Sequence, residues 1–556
     1  MSTDNSIEAN LNIGLLTETS WEVCNKIGGI YTVLSTKAVE LKKILGDSLV
    51  FIGPDFREKK ENLLFKERKS LLRQFSSRRL PFDIQVRVGR WDIPGSPLVV
   101  LVDFQNIFPH LNEFYGEMWE AFRVDSLHAY GDYDESCAFS IAAAIVGIEL
   151  ASHLKVQPDR VVAHFNEWTT GMGLLYVKRH LPEASTVFTT HATTIGRSIC
   201  GNGKPLYQYF LNYNGDQMAA ELNVESKHSL EKAAAVNADC FTTVSDVTAR
   251  ECEQLLGIRP HVVTPNGFEP SFVPECAKWQ RLRKAGREKL LRIASMLHGS
   301  PVPSDSLIIA TSGRNEFRNK GLDLFLDSMM RVAEKSVDSQ DKPVVALVLV
   351  PAWVRQPSGD LLVNMDFGGW IKPNPDYLTH RLNNEDTDAV ACKIREIKSR
   401  MAGAGLDGRV IPIYVPSYLD GFDGIVEISY YDLLPAIDLS VFASYYEPWG
   451  YTPLESIAFG VPTVTTDKAG FGQWAREIDA TSIVDNGVAV ICREDTNYCD
   501  CVEEIADIVR QYRLLPPKRR ETAGRGAMQT ADLAQWRFFI SKYLEAFQIA
   551  LNHPSR

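Results

Sequence analysis

The stretch SYYEPWGYTPLE, Ser444 to Glu455, decides the fold. An apolar run from Ile437 to Ala443 leads into it, and a second run, Val461 to Thr466, follows a segment long enough for one short helix. The order is strand, loop, helix, strand, the repeating unit of a parallel sheet. It places Gly450, Tyr451 and Thr452 at a helix N-terminus beyond the carboxyl end of a strand, where N–H groups and the helix dipole favour a phosphate. Thr452-Pro453-Leu454-Glu455 also has the pattern of a capping box, with Thr452 as N-cap, Pro453 at the first helical position and Glu455 bonding back. Glu447 has no such local duty. A carboxylate before a Pro-Trp-Gly turn at a strand end can face whatever the phosphate carries, so the segment predicts a nucleotide-sugar site.

Working outward, short apolar strands alternate with amphipathic stretches along the whole chain. They are expected at Asn12–Thr17, Leu98–Asp103, Val161–Phe165, Thr186–Thr190, Phe241–Val244 and His261–Thr264. A second set falls at Ser306–Thr311, Val344–Val350, Val410–Val415, Leu439–Ala443, Val461–Thr466 and Val488–Cys492. With 556 residues the chain is too long for one core, so two doubly wound, Rossmann-like α/β domains in succession are expected. The turn Pro265-Asn266-Gly267 closes the first sheet, giving an N-terminal domain of residues 1–275 and a C-terminal one of 276–529. A last helix within 530–556 carries Trp536, Phe539, Ile540, Tyr543, Phe547 and Leu551 on one face and is expected to pack back on the first domain.

Composition narrows the function classes. A net charge of −11 disfavours nucleic acid or an anionic membrane as the main partner and is neutral toward a polysaccharide. The start, MSTDNSIEANLN, has no signal-peptide pattern, and no uncharged run approaches the length of a membrane span. Ten scattered cysteines without metal-site spacing read as buried thiols in a reducing, cytoplasmic setting.

Two motifs are decoys. Gly403-Ala-Gly405-Leu-Asp-Gly408 matches a dinucleotide fingerprint but precedes a strand, so it reads as a helix-ending turn. Asp132-Tyr-Asp134 resembles a metal-binding DxD and reads as a solvated loop; no metal is expected. The informative loops follow strands. Ser312-Gly-Arg314-Asn-Glu-Phe-Arg-Asn-Lys320-Gly321 places two cations where a diphosphate can sit. Lys26-Ile-Gly28-Gly29 begins a helix with glycines that allow close backbone approach. His191 and Arg197 in TTHATTIGR, and His164, Asn166 and Glu167 in AHFNEW, also stand at strand ends, which favours a cleft shared by both sheets.

Together the phrases WEVCNKIGGIYTV, GPDF, AHFNEW, FTTHATTIGR, FTTVS, PNG, TSGRNEFRNKG and SYYEPWGYTPLESIAFGVPTVTT resemble the glycogen synthase family of eukaryotic type, which has bacterial relatives. The resemblance spans most of the chain. It implies a GT-B fold, two Rossmann-like domains facing across a cleft. It also implies transfer of glucose from UDP-glucose, with retention, to the non-reducing end of an α-1,4-glucan. Glu447 would face the donor glucose and Glu455 the ribose, while Arg314 and Lys320 would stabilise the leaving diphosphate. His191 would act from the donor side, Glu167 would contact the sugar, and Gly28 and Gly29 would lie near phosphate and glucose. Lys26, Arg197, Asn266, Gly450, Tyr451 and Thr452 complete the donor set. Tyr430 matches an aromatic stacked on the uracil, with neighbouring Tyr431 competing for the register.

No cofactor is implied. The family's tetramers point to the basic stretch Trp279–Leu297 as an oligomer contact. The family's arginine-rich regulatory helix is reduced to Lys518, Arg519, Arg520 and Arg525, and the chain ends soon after its last helix. A short, bacterial-type enzyme with weak or no control by glucose-6-phosphate or phosphorylation is therefore expected. ADP-glucose as donor, a pyridoxal-dependent phosphorylase and an inactive glucan-binding scaffold are the competing readings. Attack by the acceptor from the leaving-group face competes with a covalent intermediate on Glu447.

Overall fold

The apolar runs form strands that are buried along most of their length. In the computed structural model, which describes residues 11–56, 62–336, 342–367 and 376–552, the chain divides into two units. Unit 1 comprises Met1–Glu269 and Ala534–Arg556, and unit 2 comprises Pro270–Leu533. Most of the N-terminal stretch read for a signal peptide lies outside the described residues.

Unit 1 is built on β1 (Leu15–Thr19), β2 (Leu49–Pro54), β3 (Phe65–Glu67), β4 (Gln85–Trp91), β5 (Leu98–Asp103), β6 (Val161–Asn166), β7 (Ser185–Thr190), β8 (Cys240–Thr243) and β9 (Val262–Val263). Their order is β3-β4-β5-β2-β1-β6-β7-β8-β9. All pairs are parallel except β3–β4 and β4–β5. The sheet therefore reverses its winding between β1 and β6, the kind of switch point at which doubly wound folds bind ligands. Leu15 stands opposite Val161 and Leu16 opposite Leu49.

In unit 2, β10 (Leu307–Ser312), β11 (Val344–Leu349), β14 (Val410–Val415), β15 (Leu439–Val441), β16 (Thr463–Thr466) and β17 (Val488–Ile491) form a parallel sheet ordered β14-β11-β10-β15-β16-β17. A small antiparallel ribbon joins β12 (Val354–Pro357) to β13 (His380–Leu382). Here the switch point lies between β10 and β15.

The differences from the expected strands have local causes. β1 runs on to Thr19 because Glu18, a residue that argues against a buried strand, is fully buried against Lys37 and His164. β16 starts at Thr463 rather than Val461, since Pro462 has no N–H to give a ladder. Two strands lie outside the expected set: β2, where Leu49–Ile52 is a continuous buried apolar run, and β4, where Gln85 is exposed and Val86, Arg87 and Arg90 are only partly buried.

The domain turn has a packing role. A Cβ on Gly267 would lie 2.6 Å from the Trp536 ring, so the glycine makes room for the first residue of the helix Trp536–Asn552. Trp536 donates its indole N–H to Thr36 at 2.7 Å, which docks that helix on Gly29–Leu45 within unit 1. The helix Tyr133–His153 is long and apolar enough to cross a membrane by composition alone, and most of it is buried in the core of unit 1. The glycine decoy ends the helix Ala389–Gly403 through left-handed Gly405 and Gly408, ahead of β14.

Candidate active site

In unit 2 two loops leave neighbouring strands and interlock. The loop after β10 carries Arg314 and Lys320 into the helix Leu322–Lys335; the loop after β15 carries Glu447 into the helix Tyr451–Ala458. The carbonyl of Asn319 accepts from the N–H groups of Tyr445 (2.8 Å) and Tyr446 (3.1 Å). Lys320 then pairs with Glu447, both side chains being largely buried. The Tyr445 ring carries the guanidinium groups of Arg318 at 4.8 Å and Arg493 at 5.3 Å, and its hydroxyl bonds Asp495. Buried Arg493 also donates to the carbonyl of Ala443, at the start of the Glu447 loop. Arg314 is exposed and pairs with Glu316 at 3.1 Å.

The helix start differs from the capping box. The N-cap is Gly450, at φ 104° and ψ 82°, and no side chain caps the helix. A Cβ at Gly450 would lie 3.3 Å from Glu447 Cγ, so glycine serves both the backbone angle and the carboxylate's approach. Thr452 lies inside the first turn. Glu455 accepts the Tyr431 hydroxyl at 2.7 Å. The Tyr431 ring is stacked on Phe272 (5.6 Å) and Phe459 (5.5 Å), which commits it to packing. Tyr430 instead sets its hydroxyl 2.9 Å from Ser312, at the end of β10. Burial pushes both phenols far above their ordinary range, and the Glu455 charge adds to this.

In unit 1 the residues predicted at the ends of β6 and β7 meet, while those after β1 bond to their own loop. Glu22, not singled out from the sequence, accepts the N–H groups of Gly28 and Tyr31 at 2.8 Å each. The anion at the start of the Gly29–Leu45 helix is thus the chain's own carboxylate. Lys26 is exposed, 5.8 Å from the Tyr31 ring centre. Glu167, at the strained φ of 70°, turns its carboxylate to the N–H groups of His191 (2.7 Å) and Ala192 (3.1 Å). Burial raises the Glu167 carboxyl while Arg197, exposed on the helix Thr194–Gly201, opposes the rise. His191 donates its Nε2–H to Asn166 Oδ1 at 3.1 Å. Burial first, and the positive charge of Lys37 second, push its imidazole down to about 3, so the ring is neutral at ordinary pH. Asn266 is buried, and its Oδ1 has no hydrogen-bond partner among the described residues.

His164 belongs to a structural network. Its Nδ1 lies 2.9 Å from Glu18 and its Nε2 2.7 Å from the Thr189 hydroxyl, and Lys37 pairs with Glu18 at 3.0 Å. The one visible signal for this network was a glutamate interrupting an apolar run. The DxD decoy is likewise consumed locally: Asp132 pairs with Lys227 at 2.5 Å and Asp134 accepts from Tyr115 at 2.7 Å. Among the described residues no group of His, Cys, Asp or Glu is arranged to hold a metal.

The sequence model of the glycogen synthase family matches residues 18–363 and 371–555. The chain belongs to the glycogen synthase family. It is 28% identical to the glycogen [starch] synthase of Neurospora crassa, over 99% of this chain and 85% of that one. Against isoform 2 of Saccharomyces cerevisiae it is also 28% identical, over 97% of this chain and 86% of that one. The human liver glycogen [starch] synthase is 29% identical over 97% of this chain and 83% of its own length. Among solved structures, the catalytic domain of starch synthase IV from Arabidopsis thaliana superposes with a TM-score of 0.58 at 14% identity, covering 97% of this chain and 99% of that one. A trehalose-phosphate synthase from Burkholderia vietnamiensis reaches 0.52 at 13% identity, covering 96% and 97%. The fold is that of the GT-B glycosyltransferases, and this member of the glycogen synthase family is a glycosyltransferase enzyme.

Outside these loops, a cavity of about 720 Å³ in unit 2 is lined by Arg283 of the basic helix Cys276–His298 and by Arg520 and Arg525 of the helix Pro517–Asp532. The basic helix also turns Arg283 and Arg287 inward, each 2.6 Å from Asp438. All ten cysteines are free thiols; six are buried, while Cys276, Cys492 and Cys499 are exposed and Cys392 is half-buried.

Proposed function

We propose that the protein is a glycogen synthase, a retaining glucosyltransferase that moves glucose from UDP-glucose to the non-reducing end of an α-1,4-glucan. The observation that carries the reading is the pairing of Lys320 with Glu447 at the switch point of unit 2, beside the helix start at Gly450. One loop supplies cations for a leaving diphosphate and the other a carboxylate for the sugar, on a rigid parallel sheet.

In this reading Arg314, Lys320 and the N–H groups after Gly450 hold the diphosphate. As the anomeric bond lengthens, negative charge grows on the diphosphate oxygen, and these fixed donors stabilise it more than the ground state. Glu447 faces the ring as it gains oxocarbenium character. Glu455 takes the ribose, and Tyr430 is assigned to the base because Tyr431 is committed to its stack. His191, being neutral, orients a sugar hydroxyl without adding charge, and Glu167 holds that loop in place. The glucan 4-hydroxyl attacks on the leaving-group face and passes its proton to the departing phosphate. Pairing with Lys320 lowers the nucleophilicity of Glu447, which favours this route over a covalent glycosyl-enzyme.

Release of nucleoside diphosphate with glycogen as acceptor tests the reading. UDP-glucose is expected to outpace ADP-glucose, and no release with either donor would reject the assignment. Adding glucose-6-phosphate tests the expectation of weak control. The arginine-lined cavity makes that arm informative, and a large activation would overturn the expectation.

A further inference from the structure

Each of the five residues Thr190 to Thr194 donates a hydrogen bond to a carboxylate. Glu167 accepts from the backbone of His191 and Ala192, and Glu251 accepts the Thr193 hydroxyl at 2.9 Å. The remaining two bonds go to Glu231, from the helix Glu225–Asn237. Its Oε1 accepts the Thr190 hydroxyl at 2.8 Å and its Oε2 the Thr194 N–H at 2.9 Å. Glu231 thus grips the loop on both sides of His191 while being 0% exposed itself.

Stability alone is a poor reason for this residue. A buried carboxyl with no cation beside it is costly, and an apolar side chain would fill the same space at less expense. The titratable groups facing Glu231 are Glu167 and Cys252, with Glu251 beyond; His228, one turn back on its own helix, is bonded to Asp216. None of them supplies a compensating positive charge. What the carboxyl does instead is hold five backbone positions in one conformation together with its two neighbours.

We propose that Glu231 is a positioning residue for glucosyl transfer, fixing His191 by holding both ends of its loop. This rests on the assignment of His191 to the donor side. Burial first, and the charge of Glu167 second, push the Glu231 carboxyl up to about 8. It therefore holds a proton near neutrality. As pH rises through that value it ionises beside Glu167, and repulsion between the two buried carboxylates works against the loop geometry that they hold together.

The experiment measures kcat and KM of the full-length enzyme, with UDP-glucose and glycogen, across pH for wild type, Glu231→Gln, Glu231→Ala and His191→Ala. Glu231→Gln keeps the shape and cannot ionise, so it is expected to stay near wild-type activity at neutral pH and to lack the fall in kcat above about pH 8. Glu231→Ala is expected to lose on the order of 10²-fold in kcat with little change in glycogen KM, as a displaced catalytic group does. Near-normal kcat in Glu231→Ala alongside inactive His191→Ala would overturn the proposal. Full activity in His191→Ala would overturn the reading of the site, and the proposal with it. Should Glu231→Ala not fold, Glu231→Gln decides, because an alkaline limb identical to wild type would also reject the role.

Discussion

Lys320 and Glu447, 127 residues apart in sequence, form a largely buried ion pair that joins the loop after β10 to the loop after β15. Parallel pairing of the two strands brings their carboxyl ends together, and Asn319 fixes the register of the loops through its carbonyl. The pair holds the two groups assigned to the leaving diphosphate and to the sugar at one fixed separation.

Glu447→Ala is expected to abolish transfer while leaving the far-ultraviolet spectrum and the thermal melt of a folded protein. Combined with Lys320→Ala it should show non-additive changes in stability. A coupling of about 0.5–3 kcal/mol is expected for groups in direct contact. Additive losses in unfolding free energy would mean that the two act independently.

Gly450→Ala is expected to lower kcat and to destabilise the protein by about 1–3 kcal/mol, the usual cost of a strained backbone. The alanine would have to adopt φ 104° and press its Cβ toward Glu447. A melt and a kcat both unchanged would show that the helix start can relax.

Tyr430 and Tyr431 should separate cleanly. Tyr431→Ala removes a stacked, half-buried ring and is expected to cost about 3 kcal/mol in stability, as large-to-small core changes do. Tyr430→Ala should instead raise the KM for the sugar nucleotide and alter the preference between UDP- and ADP-glucose. The opposite pattern in melts and donor kinetics would exchange the two roles.

Acid stability should depend on the buried network under β1. Burial alone would raise the Glu18 carboxyl, yet His164 and Lys37 together hold it at about 2, well below the ordinary carboxylate range. A carboxylate depressed on folding contributes stability at pH above its unfolded value, and the contribution is lost as pH falls from that value toward about 2. Lys37→Met leaves Glu18 buried without its ammonium and is expected to cost about 3–5 kcal/mol. The same change should move acid unfolding to higher pH, as followed by circular dichroism. An unchanged acid midpoint would show that the network carries no pH-dependent stability.

Some readings changed because the folded backbone gave these groups other partners. Thr452 and Glu455 have capping-box spacing, but Gly450 already turns the chain into the helix and Tyr431 claims the Glu455 carboxylate. The glycines at 28 and 29 marked a helix start that approaches an anion, yet the anion bonded there is Glu22. Glu231 carries no motif at all, since its function is read only from the two residues that donate to it.

By itself the sequence determined the alternation of strands and helices and the presence of two sheets with mainly parallel strands. It also marked the strand ends at which Glu447, Arg314, Lys320, Glu167 and His191 stand. These are properties of hydrophobic period and of turn chemistry, which act over a few residues. Tertiary structure decided which of those strand ends are neighbours. It placed Lys320 on Glu447, turned Glu22 into a cap, committed Tyr431 to a stack and ringed the His191 loop with three carboxylates. Each of these contacts depends on strand order and on burial of charge, and both are set by the folded sheet rather than by adjacent residues.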